Sequence, residues 1–408
     1  MAALALGACH ESPRPADALV ATRRSVDRPD QPLATATRQE IARFQAGDRL
    51  FELPFREPDG LGPLFIRASC EACHQADGRG PGLVGKMVVV QQDGVTAAAD
   101  QSALAYGTTQ RPHVAAGARR PLGVPGADTL AQAAAPAVRT TFRLPPAVFG
   151  RGYLEAVADS EIERLATRAA GRHDGIRGRI NRVRYESEAN PGTAVHRHRH
   201  GQSGIIGRFG LKARIATLDE FAADALQGDM GLTSPVRPAE PPNPDGLTDD
   251  AKPGVDITGD DLNTLADYLR LLEIPHRAGD TDRGRDLFAR ALCAECHVPA
   301  LATRTDYPIA ALADRQAPVF TDFLLHDMGA QLADGITDAS AAPGEWRTAP
   351  LIGLRFSPAF MHDGRAKTVE EAVLAHEGPG SEANVAVARF RAFEAAARSE
   401  LIRFVEGL

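Results

Sequence analysis

Two short stretches of this chain are near copies of one another. Residues 67–80 read RASCEACHQADGRG, and residues 290–300 read RALCAECHVPA. Cys70, Cys73 and His74 in the first recur as Cys293, Cys296 and His297 in the second. Of the five cysteines, only Cys9 falls outside the pattern. Cys-x-x-Cys-His is the attachment signature of c-type haem. The two-residue gap suits a helical turn that offers both thiols to the vinyl edge of one porphyrin, and the adjacent histidine ligates the iron from below. A zinc ribbon also uses Cys-x-x-Cys pairs, but usually close together; here the pairs start 223 positions apart, at 70 and 293. A thioredoxin-like motif needs a βαβ setting and no trailing histidine. A disulfide framework does not suit a long chain with so few cysteines. Two covalently bound c-type haems are therefore expected.

The chain has 408 residues, enough for two or three domains. Its net charge of −7 gives no general nucleic-acid signal, and no apolar run reaches membrane-spanning length. Haem is attached to c-type apoproteins outside the cytoplasmic membrane, so the motif implies export and a periplasmic location. Residues 1–9, MAALALGAC, resemble the end of a bacterial lipoprotein signal, with Cys9 as the lipid-anchored residue. The basic start of such a signal is missing, and the alternative is an apolar leader with a spare thiol. A single acyl chain would anchor only marginally.

Residues 10–37, with Pro, Ala and Asp and no periodic apolar face, read as a linker. A coarse repeat follows. QAGDRLF (45–51) precedes the first haem motif and DRGRDLF (282–288) the second, both reading G-x-x-L-F within an amphipathic helix. Each half also closes with a helix. Leu262, Leu265, Leu269 and Leu272 stand at helical spacing before Pro275. Phe390, Phe393, Ala397, Leu401, Phe404 and Leu408 predict one helix at the C-terminus. A helix before the motif and an amphipathic helix after it is how a cytochrome c domain is built. The expected fold is mainly α, with two cytochrome c-like domains at 38–278 and 279–408. The first carries a large, partly β insertion, because 85–99 and 137–145 have strand character. Proline-rich residues 234–246 read as a surface loop.

Several stretches in order resemble the di-haem oxidoreductase/peroxidase family, related to bacterial dihaem cytochrome c peroxidases. They are SCEACHQADGRG, GRFGLKA (207–213), GDMGLTS (228–234), CAECHVP, TDFLLHDMGAQLAD (321–334), EWRTAPLIGL (345–354) and FMHDGRAKTVEEAVLAHEG (360–378). The resemblance runs from about residue 40 to the C-terminus. It implies a haem-dependent oxidoreductase of peroxidase type, taking electrons from a small redox protein or cytochrome and passing them to peroxide or another small oxidant. A non-catalytic electron carrier and a haem-dependent oxygenase are the alternatives. In the related peroxidases an acid followed by Met serves the peroxide-binding haem, which makes Asp229 a possible acid–base group; the competing reading is a turn aspartate beside glycine. In many of them a histidine soon after the first motif blocks that haem at rest. Here none follows His74 until His113, so the N-terminal haem is expected to have an open face. The related peroxidases also carry a Trp after the first motif; the only Trp here is Trp346, so electrons crossing between the haems would need another route.

His376 sits where the related peroxidases carry a Met ligand. Thr368 with Glu371 makes a capping box, and Val369, Ala372, Val373 and His376 share one helical face. His376 is expected opposite His297 on the second haem, with Met328 and Met361 as rivals. A His/His pair would leave that haem at lower potential than Met/His. His326 and His362 are expected beside a haem without ligating it, although each could be a ligand or packing. His196, His198 and His200 would share one face of a strand, as metal ligands might, but read more simply as an exposed polar loop. The surrounding 171–214 holds ten Lys/Arg against three Asp/Glu, a patch able to face haem propionates, an acidic partner or only solvent.

Overall fold

The computed structural model describes residues 30–94, 96–115, 138–242, 252, 254–277 and 281–408. The leader with Cys9, the linker up to residue 29, residues 243–246 of the proline-rich loop and 278–280 of the expected boundary lie outside these. Helices dominate. They are α1 (Arg38–Glu52), α2 (Arg151–Ala156), α3 (Asp159–Ala170), α4 (Leu218–Ala225), α5 (Gly259–Leu271), α6 (Asp282–Arg290), α7 (Val369–Ala375), α8 (Asn384–Ala392) and α9 (Ala395–Glu406). Threonine caps start several of them. The side chains of Thr37, Thr217, Thr258, Thr281 and Thr368 each accept from a backbone N–H in the first turn, which satisfies donors that have no partner inside the helix.

The repeated G-x-x-L-F has a packing cause. In the first half, α1 crosses α5 at Gly47, where a Cβ would stand 2.5 Å from the carbonyl oxygen of Thr264 and from Cβ of Tyr268. In the second, α6 crosses α9 at Gly284, where a Cβ would stand 2.6 Å from Cβ of Phe404. The Phe that ends each copy is buried, Phe51 in one core and Phe288 in the other. Each half thus presses the helix before its haem motif closely against its closing helix.

The strands are short, and among the described residues they pair in twos. Both stretches expected to be β in the first half form strands, Val84–Val89 and Val138–Arg143, and pair antiparallel with each other. Leu325–Asp327 pairs with Glu345–Arg347, setting His326 opposite Trp346.

Four expectations need correction. The linker does not run undocked to residue 37: Leu33 is buried, and its N–H donates to the Leu271 carbonyl at 2.7 Å. The C-terminal helix is two, α8 and α9, because Phe393 is extended (ψ 146°) and the chain restarts at Glu394. The break frees α9 to lie along α6. The His tract is not simply exposed. The His196 side chain is 6% accessible, and its Nε2 lies 3.0 Å from both oxygens of Asp219. Its ring stacks on His198 at 4.7 Å, and only His200 is well exposed. The basic stretch is not one solvated patch either. Arg208 is buried against Asp159, Arg214 pairs with Asp224, and Lys212 is fully buried with its Nζ on the carbonyls of Ala342, Pro343 and Glu345.

The larger core gathers residues from both sides of position 278. Leu154, Leu218 and Leu262 meet Leu301, Leu312, Phe323 and Ile352. A buried polar network runs through it. Arg270 on α5 donates to Glu155 on α2 (Nε–Oε2 2.7 Å) and to Asp219 on α4 (3.3 Å). Tyr307, from the second half, donates to Glu155 at 2.7 Å. Burial alone would raise the Glu155 carboxyl, but Arg270 holds it below its ordinary value. Removing one partner of a buried ion pair leaves the other uncompensated, at a cost of about 3–5 kcal/mol. Denaturant unfolding of Glu155→Ala should show a loss of that size. Gly47→Ala should cost roughly 1–3 kcal/mol by overpacking, read in the same way; an unchanged midpoint would mean that α1 and α5 do not cross at the glycine.

Candidate functional site

Both Cys-x-x-Cys-His motifs fold as a single helical turn. The N–H groups of Cys73 and His74 donate to the Cys70 carbonyl at 3.0 and 2.9 Å, and that of His297 to the Cys293 carbonyl at 2.9 Å. The turn brings the two thiols of each pair close enough for their charges to interact. Burial pushes the Cys70 and Cys293 thiols up to about 12 and Cys73 to about 11. Burial pushes the histidines the other way: His74 and His297 fall to about 4 and are neutral at neutral pH. Arg151 adds to the effect on His74, and His376 to that on His297.

Around the second motif lies a cavity of about 270 Å³. Cys293, Cys296, His297 and His376 all line it. His297 Nδ1 lies 3.2 Å from the Phe320 carbonyl, and His376 Nδ1 lies 2.6 Å from the Ala372 carbonyl. A carbonyl can only accept, so the proton of each neutral ring sits on Nδ1 and the Nε2 lone pair is left over. The helix carrying His376 forms as its sequence predicts. Thr368 and Glu371 make the capping box, and Val369, Ala372, Val373 and His376 all face the cavity. Met328 and Met361 line it as well.

The first motif is built differently. Phe51 of α1 stands 6.2 Å from the His74 ring and 5.2 Å from Tyr268 of α5. Tyr268 donates to Asp77 at 2.7 Å, and burial raises that carboxyl to about 7. His74 Nδ1 is buried with no hydrogen-bond partner among the described residues. Asp229 lies in the wide turn Leu226–Met230 after α4, close enough for its charge to act on both Cys70 and Cys73. Its side chain is about a third accessible and 3.8 Å from Lys86 Nζ. Burial raises its pKa, while Lys86 opposes the rise. His113, the next histidine in the chain, is exposed and accepts from Arg67 at 3.1 Å.

His326 and His362 both line the cavity of the second motif, each in a different role. His326 is held between two carboxylates, Nε2 to Asp322 at 2.9 Å and Nδ1 to Glu382 at 2.7 Å. Burial alone would lower its pKa, but Cys296 and Asp322 hold it well above the ordinary value. With two acceptors it is an imidazolium with no nitrogen left for a metal. His362 stacks on Trp346, 3.9 Å between centroids and 15° between planes, and the Lys212 ammonium sits 4.1 Å over the same Trp ring. Sequence reasoning passed over Asp322, which pairs with His326, and over Glu382, Arg79, Arg151 and Arg347, which also line the cavity. Arg347 stands inside EWRTAPLIGL and Arg79 just past the first motif, but a lone arginine carries no local signal of burial.

A haem fits these groups. Each site offers two thiols one helical turn apart and a neutral imidazole, and the second offers a further imidazole lining the same, largely apolar cavity. No curated protein matches the chain. Two solved structures show weak likeness. One is a chain of Kuenenia stuttgartiensis hydrazine synthase, studied under xenon pressure (13% identity, 100% of this chain and 98% of that chain, TM-score 0.38). The other is a MauG-like protein associated with microbial copper homeostasis (16% identity, 62% of this chain and 89% of that chain, TM-score 0.31). At these TM-scores neither likeness bears on the chain's chemistry. The family comparison is of another order: the model described as "Di-haem oxidoreductase, putative peroxidase" matches residues 18–102 and 127–408, and the chain belongs to that di-haem oxidoreductase family.

Proposed function

We propose that the protein is a periplasmic dihaem c-type oxidoreductase of peroxidase type, with two cytochrome c-like domains, the first enlarged by a partly β insertion. Cys70 and Cys73 hold one haem by thioethers, and Cys293 and Cys296 the other. His74 and His297 would each hold the iron of the haem beside their cysteines, and His376 would be a second group holding iron at the C-terminal site. Together the haems would supply the redox chemistry, a path for electrons from a small redox protein or cytochrome at the C-terminal site to peroxide or another small oxidant at the N-terminal site.

The observation that carries this reading is the cavity of the second motif. It brings His297 and His376 together, each with Nδ1 engaged and Nε2 left over. The two sites differ in the way such a division of labour needs. At the C-terminal site His376 would hold the iron together with His297. At the N-terminal site the next histidine, His113, is an exposed partner of Arg67, and the group near the cysteines is Asp229. A carboxyl whose pKa burial raises is suited to hold a proton and deliver it to a departing oxygen. Lys86 beside it stabilises the carboxylate that results. The segment that would carry a lipid anchor at Cys9 lies outside the described residues.

Denaturing mass spectrometry should find two haems retained on the chain, at the two cysteine pairs; one or none ends the reading. His376→Ala should convert one low-spin ferric haem to high-spin in the EPR spectrum and leave both haems attached. An unchanged low-spin signal would give the position to Met328, Met361 or another histidine of the cavity such as His362. At the N-terminal site Asp229→Asn should lower peroxide turnover by about 10²–10⁴-fold, the usual contribution of a positioned acid, with the haem content unaltered.

A further inference from the structure

The cavity around Cys293 and Cys296 carries positive charge that its apolar walls do not explain. Arg79, Arg151 and Arg347 all line it. Arg151 and Arg347 are each 6% accessible, and Arg79 is half-buried. Among the described residues none of the three forms a salt bridge with a carboxylate, although the Asp322 charge acts on Arg347, and their side-chain hydrogen bonds go to backbone carbonyls. Arg79 donates to Met361 at 2.7 Å and to Ala359 at 3.5 Å. Arg151 donates through Nε to Ala147 at 2.8 Å and through a second nitrogen to the same oxygen. Arg347 donates to Gly210 and Thr348, each at 3.0 Å.

Arg111 is also buried on backbone carbonyls, but several other buried cations are treated otherwise. Arg270 has Glu155 and Asp219, Arg208 has Asp159, and Lys212 lies 3.6 Å from Asp334. Burying a cation without an acid costs several kcal/mol, and here three gather in one place. Burial pushes Arg151 down to about 9 and Arg79 and Arg347 to about 10, so all three remain charged at neutral pH. Arg79 and Arg347 add to the effect at Arg151, which shows how close together the charges lie. A guanidinium has five N–H donors in a fixed fork that matches a carboxylate, and the carbonyls take only some of them. A ligand suited to this cavity is therefore largely apolar, with carboxylates at one edge.

We propose that Arg79, Arg151 and Arg347 bind the propionates of the haem attached at Cys293 and Cys296, and so fix its orientation and help set its potential. The assignment rests on the haem reading above. Thioethers fix the vinyl edge of a porphyrin, and the propionates leave from the opposite edge. Charge-assisted, bidentate bonds to arginine are the strong way to hold them. The cluster also joins the two halves. Arg79 and Arg151 come from before residue 278 and Arg347 from after it. Arg151 acts on His74 as well, and the Val148 N–H donates to the Asp77 carbonyl at 2.8 Å, three residues past His74. Propionates held by these arginines would lie on the side of the cavity that faces the N-terminal site.

The test is the midpoint potential of the C-terminal haem, followed by spectroelectrochemistry of the purified holoprotein, with haem content checked by mass spectrometry. Taking away a nearby positive charge favours the ferric state. Arg151→Gln and Arg347→Gln should each shift the oxidised-to-reduced ratio at fixed potential about tenfold toward oxidised, which is roughly 59 mV for a one-electron couple. Arg151→Lys, which keeps the charge, should recover most of the shift. Arg389→Gln, a surface arginine on α8, should move nothing. If Arg151→Gln does not mature, Arg79→Gln at its half-buried position carries the same test. Haem retained at Cys293 and Cys296 with a midpoint unmoved in the glutamine variants overturns the arginine assignment alone. Wild-type protein without haem at those cysteines overturns the haem reading instead.

Discussion

A neutral imidazole tied by Nδ1 to a backbone carbonyl is the interaction on which the C-terminal half turns. It fixes the tautomer and aims Nε2 into the cavity, and it does so twice. For His297 the carbonyl is that of Phe320, which is buried against Phe288 and Phe404 where α6 meets α9. For His376 it is the Ala372 carbonyl one turn back in its own helix. One imidazole is therefore set by the tertiary packing of the pre-motif helix, and the other by a capped local helix. A shift in either would tilt a lone pair away from the space between them.

The two halves are bound by more than apolar surface. Tyr307 donates to Glu155, which receives Arg270, which reaches Asp219, which receives His196. Every member is satisfied, and that condition separates a specifying polar network from a liability. Its members come from α2, α4, α5, the loop carrying His196 and the second half, so the network ties the first half to the segment that follows the second motif. The larger core draws on both sides of position 278 for the same reason.

The two sites also differ in electrostatics. Beside Cys296 stands an imidazolium clamped by Asp322 and Glu382, a rigid charge cluster with little freedom to take up or lose a proton. Beside Cys70 and Cys73 stands Asp229, with a raised pKa and about a third of its side chain accessible. A fixed environment suits a group that holds electrons. A titratable, partly accessible acid suits a group that handles protons. The Trp346–His362 stack capped by Lys212 belongs to the first kind, since a cation over the indole face disfavours removing an electron from the ring.

Local chemistry was legible in the sequence because it depends on spacing. The two Cys-x-x-Cys-His turns, the Thr368–Glu371 cap, the face shared by Val369, Ala372, Val373 and His376, and the two strands at 84–89 and 138–143, though not their pairing, follow from short-range periodicity and capping. The G-x-x-L-F repeat was visible as well, but its cause was not: only the crossing of α1 with α5 and of α6 with α9 shows why the position must be glycine. The rest depended on residues far apart in the chain. His196 looks exposed until Asp219 is folded beneath it, and Leu33 looks like linker until α5 ends next to it. Arg79, Arg151 and Arg347 are ordinary surface residues by composition. Their burial in one cavity follows from packing across 268 positions of chain, from 79 to 347, and no local pattern encodes a contact of that range.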